Sequence, residues 1–449
     1  MGGIFKAYDV RGLYPGEINE EIARKIGLAF QFVLDDDDLA NGRTVVVSRD
    51  MRSHSEGIAE ALIEGLRAGG FDVVDIGLAT TPMNYFAVGS LQAAGGIQVT
   101  ASHNPARYNG LKFSKRGARP VSGDHGIPLL EEKVTSGDLP TAKQPGRLST
   151  GEVTDAYRQH VLSFLEEGRR LKVVVDAANG MGAIYRPLLE AMNIELIPLY
   201  FELDGSFPNH EANPLKEENL EVLKQAVVRE GADLGVSFDG DADRSAFIDE
   251  NGRSIGSDLI TALIGGELLS NHPGKAVLYD LRSSRAVAEY IEESGGVPVR
   301  ERVGHSFMKA TLRLRDGVFG GELAGHYYFR DTNFADCAVL AVVEILNLLR
   351  QSGQTLSALV EPLRRYHKSP EINFEVDDKE GRMQALAERY SDGEIDYLDG
   401  ITVQYPDWWF NVRPSNTEPY LRLVLEAETA ESLAAHRAVL EGMLGTLAE

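Results

Sequence analysis

The chain has 449 residues, of which 43% are hydrophobic, 25% charged and 46 glycine. At about 150 residues per domain this globular composition predicts about three domains and excludes a single compact core. Lys and Arg total 45 against 68 Asp and Glu, a formal charge of -23 that disfavours nucleic acid or an anionic membrane surface as partner.

No apolar run approaches the roughly 20 residues needed to cross a bilayer. The N-terminal MGGIFKAYDVRG lacks the basic-then-apolar build of a signal peptide. The single Cys337 has no thiol to pair with, which fits a reducing compartment. A cytoplasmic protein with Cys337 as a buried spectator is expected. An anionic ligand would require such a chain to gather its cations locally.

Along the chain one rhythm occurs three times: a β-rich apolar run, a helical pattern, a second run, a second helical pattern and a third run. Ahead of the first, the acidic LDDDDLANG (34–42) reads as a solvated turn, because adjacent carboxylates repel one another. The first unit begins with TVVVS (44–48) and SEGIAEALIEGLRAG, then FDVVDIG, a helical PMNYFAVGSLQ and GGIQVTASHNP. The second runs from LKVVVDAANG (171–180) through IELIPLY and a Glu/Lys-rich helix from 217 to ADLGVSFDGDADR. The third takes KAVLYDL (275–281), RAVAEYIEESG, VPVRERVG, a helix near SFMKATLRL and GVFGGELAGH.

Alternation of this kind predicts parallel pairing with right-handed crossovers, and ligands beyond the carboxyl ends of the strands. Each third run ends in a polar cluster: Ser102 and His103, then Asp239 to Arg244, then Glu322 to His326. After about residue 368 the pattern changes to INFEV, a polar helix, IDYLDGITVQY, WWFNVRP, YLRLVLEAE and a closing helix near 429–446. This predicts a smaller α+β domain with an antiparallel sheet.

Four segments carry chemistry. In DGDAD, Asp239, Asp241 and Asp243 alternate after the strand-like LGVSF, and three hard carboxylates on a tight loop suit Mg²⁺. An EF-hand is excluded because Arg244 stands where Gly is needed and strands flank the loop; a solvated turn is the plain alternative. In TASHNP (100–105), Ser102 follows an apolar run with His103 and Asn104 beside it and Lys112 ten residues on. A hydroxyl on a strand-to-loop turn can act as a nucleophile, although Ser, His and Asn are also ordinary turn formers.

GGELAGH (320–326) is not a dinucleotide loop, and Glu322 and His326 suit either sugar hydroxyls or a plain turn. His305 is open between helix cap and ligand. In RPSNTEP (413–419), Arg413 offers a fork of donors, Ser415 and Thr417 offer hydroxyls, and Arg422 adds a second cation, which suits a phosphate. The alternative is a hairpin in which Arg413 pairs with Glu418.

All four segments occur in this order in the α-D-phosphohexomutases, which the sequence resembles over its whole length. TASHNP matches the phosphoserine loop, DGDADR the metal loop, GELAGH the sugar loop and RPSNTEP the phosphate loop. FKAYDVRG and VGHSF (303–307) also resemble family segments, and HYYFRD leans toward the bacterial phosphomannomutase/phosphoglucomutase branch rather than phosphoglucosamine mutase. One position departs: where the sugar loop usually has Ser this chain has Ala324, so one hydroxyl contact to the sugar is missing.

The resemblance implies three similar α/β domains with mixed, mostly parallel sheets and a smaller C-terminal α+β domain around a central cleft. The expected divisions are 1–148, 149–252, 253–367 and 368–449. It implies a phosphorylated Ser102 that gives its phosphoryl group to a hexose monophosphate and regains one from the resulting hexose 1,6-bisphosphate. One Mg²⁺ held by Ser102, Asp239, Asp241 and Asp243 assists, with Arg244 beside it.

Lys112, His326, Arg11 and His103 are the candidates for proton transfer. Lys112 and His326 rank first, on the reasoning that neighbouring cations lower a Lys pKa and that His titrates near neutrality; Arg11 is the better clamp. Arg413, Ser415, Asn416 and Thr417 are expected to hold the remote phosphate, Glu322 to read hydroxyls, and Arg282 and His305 to complete the pocket. The partners implied are small hexose phosphates, with the chain a monomer or weak homodimer, and the C-terminal domain is expected to swing.

Overall fold

The computed structural model describes residues 3–123, 126–415 and 420–447. Their strands form four sheets. In the first, Gly95–Val99, Thr44–Arg49 and Asp72–Leu78 run parallel in the spatial order third, first, second. The second repeats that order with Leu234–Phe238, Leu171–Asp176 and Ile194–Leu199, and the third with Phe319–Gly321, Ala276–Asp280 and Val297–Glu301. The three rhythms of the sequence are therefore three copies of one parallel core.

Beyond its third strand each core continues through a loop into an antiparallel return strand. These returns are Tyr108–Lys115, Ser245–Ile248 and Tyr327–Phe329. The C-terminal sheet is wholly antiparallel, and its loop likewise joins neighbours, Trp408–Pro414 and Tyr420–Ala427. All four polar segments thus occupy the same structural position. The first and second sheets also take in Leu148–Thr150 and Ser254–Ile255, so they run slightly past residues 148 and 252.

Local chemistry sets the helices between these strands. In Ser55–Ala68 the residues Ile58, Leu62, Ile63 and Leu66 form one buried stripe. Thr80 caps Thr81–Ser90 by accepting from the Met83 N–H. Several helices stand outside the threefold rhythm, among them Ser257–Asn271 and Ala338–Ser352. Both of these are buried on most sides, so no solvent-facing side marks them.

One hydrophobic cluster joins the first three sheets, from Met83 and Ala87 through Tyr157, Val173 and Phe238 to Leu263, Phe319 and Val343. The first sheet also has a core of its own, with Phe30, Val45, Ile97 and Phe113, and so does the C-terminal sheet, with Phe374, Val403, Trp408 and Phe410. The C-terminal sheet meets the rest through polar groups: Arg285 Nη1 donates to the Pro406 carbonyl at 3.0 Å, and the Val303 N–H to Asp399 at 3.3 Å. No described helix is long and apolar enough to cross a membrane. Cys337 is buried as expected, its Sγ 3.3 Å from the Tyr157 hydroxyl.

The acidic loop corrects an expectation. Asp38 is buried, 2.6 Å from Arg119 Nη2 and 3.5 Å from Lys115 Nζ, so the turn is anchored by ion pairs rather than solvated throughout.

Candidate active site

Ser102 sits directly beyond strand Gly95–Val99 in a left-handed conformation, φ 50°, which a serine holds only under constraint. The constraint is visible: its N–H donates to Thr100 Oγ1 at 2.9 Å and its carbonyl accepts from Arg52 Nη2 at 2.8 Å. Arg52 also donates to the carbonyls of Asn104, Pro105 and Tyr108 and is itself held by Asp50 at 3.1 Å. One fully covered guanidinium therefore fastens the whole serine loop. The run RDMRS (49–53) carried no recognisable signal for this, because the partners are backbone atoms some 50 positions away.

The Ser102 Oγ donates to Asp239 Oδ2 at 2.7 Å and lies 3.2 Å from His103 Nδ1. Burial, together with the charges of Arg244, Arg11 and Lys112, keeps the His103 pKa well below its ordinary value. A neutral imidazole thus stands beside the hydroxyl. Arg11, on strand Asp9–Leu13, reaches the same loop with Nη1 on Asn104 Oδ1 at 2.6 Å.

Asp239, Asp241 and Asp243 are all buried. Asp239 Oδ1 accepts from the N–H groups of Asp243 and Arg244 at 3.1 and 3.2 Å, so the loop closes on its first carboxylate. Gly240 permits the approach to the serine loop, since a Cβ there would lie 2.3 Å from the Ser102 carbonyl oxygen. Thr81 Oγ1 and Lys112 Nζ each donate to Asp241 Oδ2 at 2.6 Å, and Lys112 also contacts Asp243.

This geometry corrects the ranking of Lys112. Burial would lower its pKa, but Asp241, Asp243 and Asp239 outweigh that and hold it above the ordinary value. Its nearest charged partners are carboxylates, not cations, so the reason for ranking it first does not hold.

Three carboxylates against the Lys112 ammonium and the Arg244 guanidinium, whose Nε lies 3.9 Å from Asp239 Oδ2, leave this centre short of positive charge. Asp241 Oδ1 and Asp243 Oδ1 are buried without a partner, and burial with the charges of Asp243 and Asp241 pushes the Asp239 carboxyl well above its ordinary range. One oxygen from each aspartate lies within 4.8 Å of the others. The donor set fits a hard divalent cation. A second grouping, Asp243, His326 and Asp336, is equally tight, but there the Lys309 ammonium contacts Asp336 and already supplies the positive charge.

The metal loop and the GELAGH loop are tied by the Ser245 N–H on the Gly325 carbonyl at 3.1 Å and by Arg244 Nε on His326 Nε2 at 2.9 Å. A guanidinium only donates, so Nε2 is the acceptor and the ring proton belongs on Nδ1, which lies 3.3 Å from Asp336 Oδ2. Sequence reading missed Asp336 and Lys309.

Glu322 is 2% exposed; its Oε1 accepts from the Gly304 N–H at 2.9 Å and its Oε2 contacts the Tyr328 hydroxyl. Gly304, not His305, is the helix cap, because a φ of 138° leaves no room for a side chain, and the cap reading of His305 falls. His305 opens helix His305–Leu314 with a buried Nδ1 that lacks a partner and a ring 6.1 Å from that of His326. Its pKa lies well below the ordinary value, through burial and then the Lys309 charge.

Arg282 is gripped by Asp280 at 2.6 and 3.2 Å and extends Nη1 to Glu371 at 3.3 Å. Glu371 also accepts from Arg413 Nη2 at 2.8 Å and from Arg422 Nη1 at 3.2 Å. Burial would raise its pKa, but the three guanidinia hold it below the ordinary value. Arg413 is 2% exposed and stands opposite Arg422 in the ladder. Ser415 donates its N–H to the Tyr420 carbonyl at 2.9 Å. Asn416, Thr417 and Glu418 lie outside the described residues; among those described, the carboxylate on Arg413 is Glu371.

Contacts therefore run unbroken from Ser102 through the aspartates, Arg244 and His326, and from the GELAGH loop through the Leu323 N–H on Asp280 at 2.7 Å to Arg282, Glu371 and Arg413. The chain matches the four phosphoglucomutase/phosphomannomutase domain models: alpha/beta/alpha domain I over 2–140, II over 154–252, III over 256–366 and the C-terminal domain over 371–441.

The chain belongs to the phosphoglucomutase/phosphomannomutase family.

It is 40% identical over 440 residues, 96% of its length and 97% of the relative's, to a protein of Xanthomonas campestris named "Phosphohexose mutases". It is 35% identical over 452 residues, 99% of its length and 96% of the relative's, to the phosphomannomutase/phosphoglucomutase of Pseudomonas syringae. A crystal structure of a family protein from Burkholderia thailandensis superposes with a TM-score of 0.90 at 34% identity, covering 99% of this chain and 98% of the other. Like these mutases it is an enzyme of the isomerase class. Its three parallel cores and antiparallel C-terminal sheet are the family's four domains.

Proposed function

We propose that this mutase interconverts the 6-phosphates and 1-phosphates of mannose and glucose through a phosphorylated Ser102 and a hexose 1,6-bisphosphate. The observation that carries the reading is the buried Ser102 hydroxyl, 2.7 Å from the first of three clustered aspartates, in a chain matched throughout by this family. A free hydroxyl of the hexose monophosphate attacks the phosphorus of phospho-Ser102; the new P–O bond forms as the bond to Ser102 Oγ breaks. The bisphosphate then turns over, and Ser102 Oγ attacks its other phosphorus to release the isomeric monophosphate. Such transition states spread charge over phosphoryl oxygens, so positioning and cations carry most of the catalysis.

Asp239, Asp241, Asp243 and an oxygen on Ser102 would hold one Mg²⁺, which supplies Lewis-acid withdrawal of charge. The proton of the attacking sugar hydroxyl passes to His326 Nε2 once Arg244, whose Nε donates to that atom at 2.9 Å, turns to the phosphoryl group, while the Nδ1–H stays toward Asp336 at 3.3 Å. His103, 3.2 Å from Ser102 Oγ, serves the proton on the enzyme side. Lys112, Arg244 and Arg11 act as fixed charges, and Glu322 and His305 face the sugar. Arg282, Arg413, Ser415, Asn416 and Thr417 hold the phosphate remote from Ser102.

The Pseudomonas syringae relative is named a phosphomannomutase/phosphoglucomutase, which supports mannose and glucose phosphates over glucosamine phosphates as the substrates here. Domains divided near 148, 252 and 367, a cytoplasmic location, a monomer or weak homodimer, and hexose 1,6-bisphosphate as activator complete the proposal.

Intact-protein mass spectrometry and coupled assays on glucose 1-phosphate, mannose 1-phosphate and glucosamine 1-phosphate test it. The wild type carries one phosphate, and Ser102→Ala loses both that mass and at least about 10³-fold in kcat. Full activity in Ser102→Ala, or a preference for the glucosamine ester, overturns the corresponding part.

A further inference from the structure

Away from the catalytic residues, the first and third domains face each other across a groove of about 570 Å³. Arg116 and Arg119 line one wall, Arg313 and Arg330 the other, and Asp37 is the only acid among its lining residues. Four guanidinia converging across a domain boundary are unexpected in a chain of charge -23.

Two of them are paired: Arg119 with Asp38 at 2.6 Å, and Arg330 with Asp316 at 3.4 Å. The other two donate to carbonyls. Arg116 Nη1 reaches the Asp37 carbonyl at 3.1 Å, and Arg313 Nη2 reaches those of Gly117 and Asn333 at 2.7 and 2.6 Å. Arg313 thus fastens the two walls together without an acid to neutralise it. Burial and the charge of Arg119 pull its pKa down to about 10.

The walls are also conformationally fixed. Gly117 and Ala118 have φ of 63° and 56° on one side, and Asn333 and Phe334 have 59° and 58° on the other. Consecutive left-handed residues that include Ala and Phe persist only where the surroundings impose them. Arg313 stacks over Phe334 at 4.9 Å, which keeps its guanidinium in plane with that wall. The arrangement is rigid, cationic and under-compensated.

We propose that this groove is a second anion site, separate from the phosphate loop, that takes a compact molecule bearing two phosphate groups. Two guanidinia per wall suit one phosphate group on each side, and planar forks favour phosphate over chloride. The site stands in line with the catalytic residues. Arg313 follows His305 and Lys309 at four-residue steps on helix His305–Leu314, so one helix face runs from His326 and Asp336 to the groove.

Titration calorimetry of the full chain with inorganic pyrophosphate, at fixed ionic strength and with Mg²⁺ withheld so that the probe is not sequestered, tests this. Two classes of site are expected in the wild type. Arg413→Ala retains the groove class, whereas Arg116→Gln combined with Arg313→Gln weakens that class at least tenfold and leaves the other. Should the pair disturb the domain boundary, Arg116→Glu, on one wall only, gives the same loss. A single class that disappears in Arg413→Ala, a groove class untouched by these variants, or equal heat from sodium chloride overturns the proposal.

Discussion

The two sides of the active site are electrostatic inverses. Beside Ser102, three buried carboxylates meet the Lys112 ammonium and, at 3.9 Å from Asp239, the Arg244 guanidinium; beside Arg413, three guanidinia share Glu371, with Asp280 holding one of them. The first centre is short of positive charge and fits a metal. The second is short of negative charge and fits a phosphate. Their surroundings also differ: the first lies among domains linked by one hydrophobic cluster, although the first sheet keeps a core of its own as well, while the second bridges to the C-terminal domain across polar contacts. The carboxylate centre sits where a hydrophobic cluster crosses between domains, and the guanidinium centre sits at a boundary made of polar contacts.

The largest effect expected from breaking this contrast is on the carboxylate side. Removal of divalent metal with EDTA abolishes mutase activity and Mg²⁺ restores it, while Asp241→Asn lowers kcat by about 10²–10³-fold. A variant that retains wild-type kcat after exhaustive chelation would show that the aspartates serve Lys112 and Arg244 alone.

On the other side the loss is in binding. Arg413→Lys keeps the charge but loses the fork, and KM for glucose 1-phosphate rises about tenfold with kcat changed far less. An equal fall in kcat at unchanged KM would place Arg413 in the chemical step.

Glu371 offers a gain instead of a loss. It holds Arg282, Arg413 and Arg422 in the way a ligand phosphate would, so Glu371→Gln binds inorganic phosphate about three- to tenfold more tightly, the range for one partly solvated charge pair. Small-angle scattering follows the boundary itself: glucose 1,6-bisphosphate contracts the wild type, and equal profiles with and without it would refute closure. Weaker phosphate binding in the variant would make Glu371 a plain tether.

A buried acid whose pKa is moved by neighbouring acids sharpens the contrast further. Burial, with Glu267, Glu166 and Asp331 nearby, pushes Glu344 up to about 7 from the ordinary 4.5. The folded protein keeps this proton where the unfolded chain has lost it, so stability falls as pH rises from about 4.5 to about 7 and levels above. Glu344→Gln removes the slope and raises stability at pH 8 by about 2 kcal/mol. Parallel melting curves of the two proteins from pH 5 to pH 8 would rule this out.

Much of the site was legible because its residues are contiguous. DGDAD places three carboxylates on one loop whatever the tertiary fold, and TASHNP places a hydroxyl beyond a strand that alternation already marked. The partners of those loops were not legible. Arg52 acts on the carbonyls of residues 102, 104, 105 and 108, and carbonyls are the same in every residue. Lys112 was misjudged for a related reason: its surroundings come from a loop 129 positions away, and that loop is acidic. Helix Ala338–Ser352 escaped because even its polar stripe, Glu344, Asn347 and Arg350, is buried against other segments, so no solvent-facing side marks it.

By itself the sequence determined the three repeated cores, the separate C-terminal domain, the four loops and the family, since all depend on order and periodicity along the chain. The tertiary structure alone decided the state of charge at each loop. It put Lys112 among aspartates, Glu371 among arginines and His326 between Arg244 and Asp336, because Coulomb interactions depend on distance in space and on burial, neither of which is written in the spacing of residues.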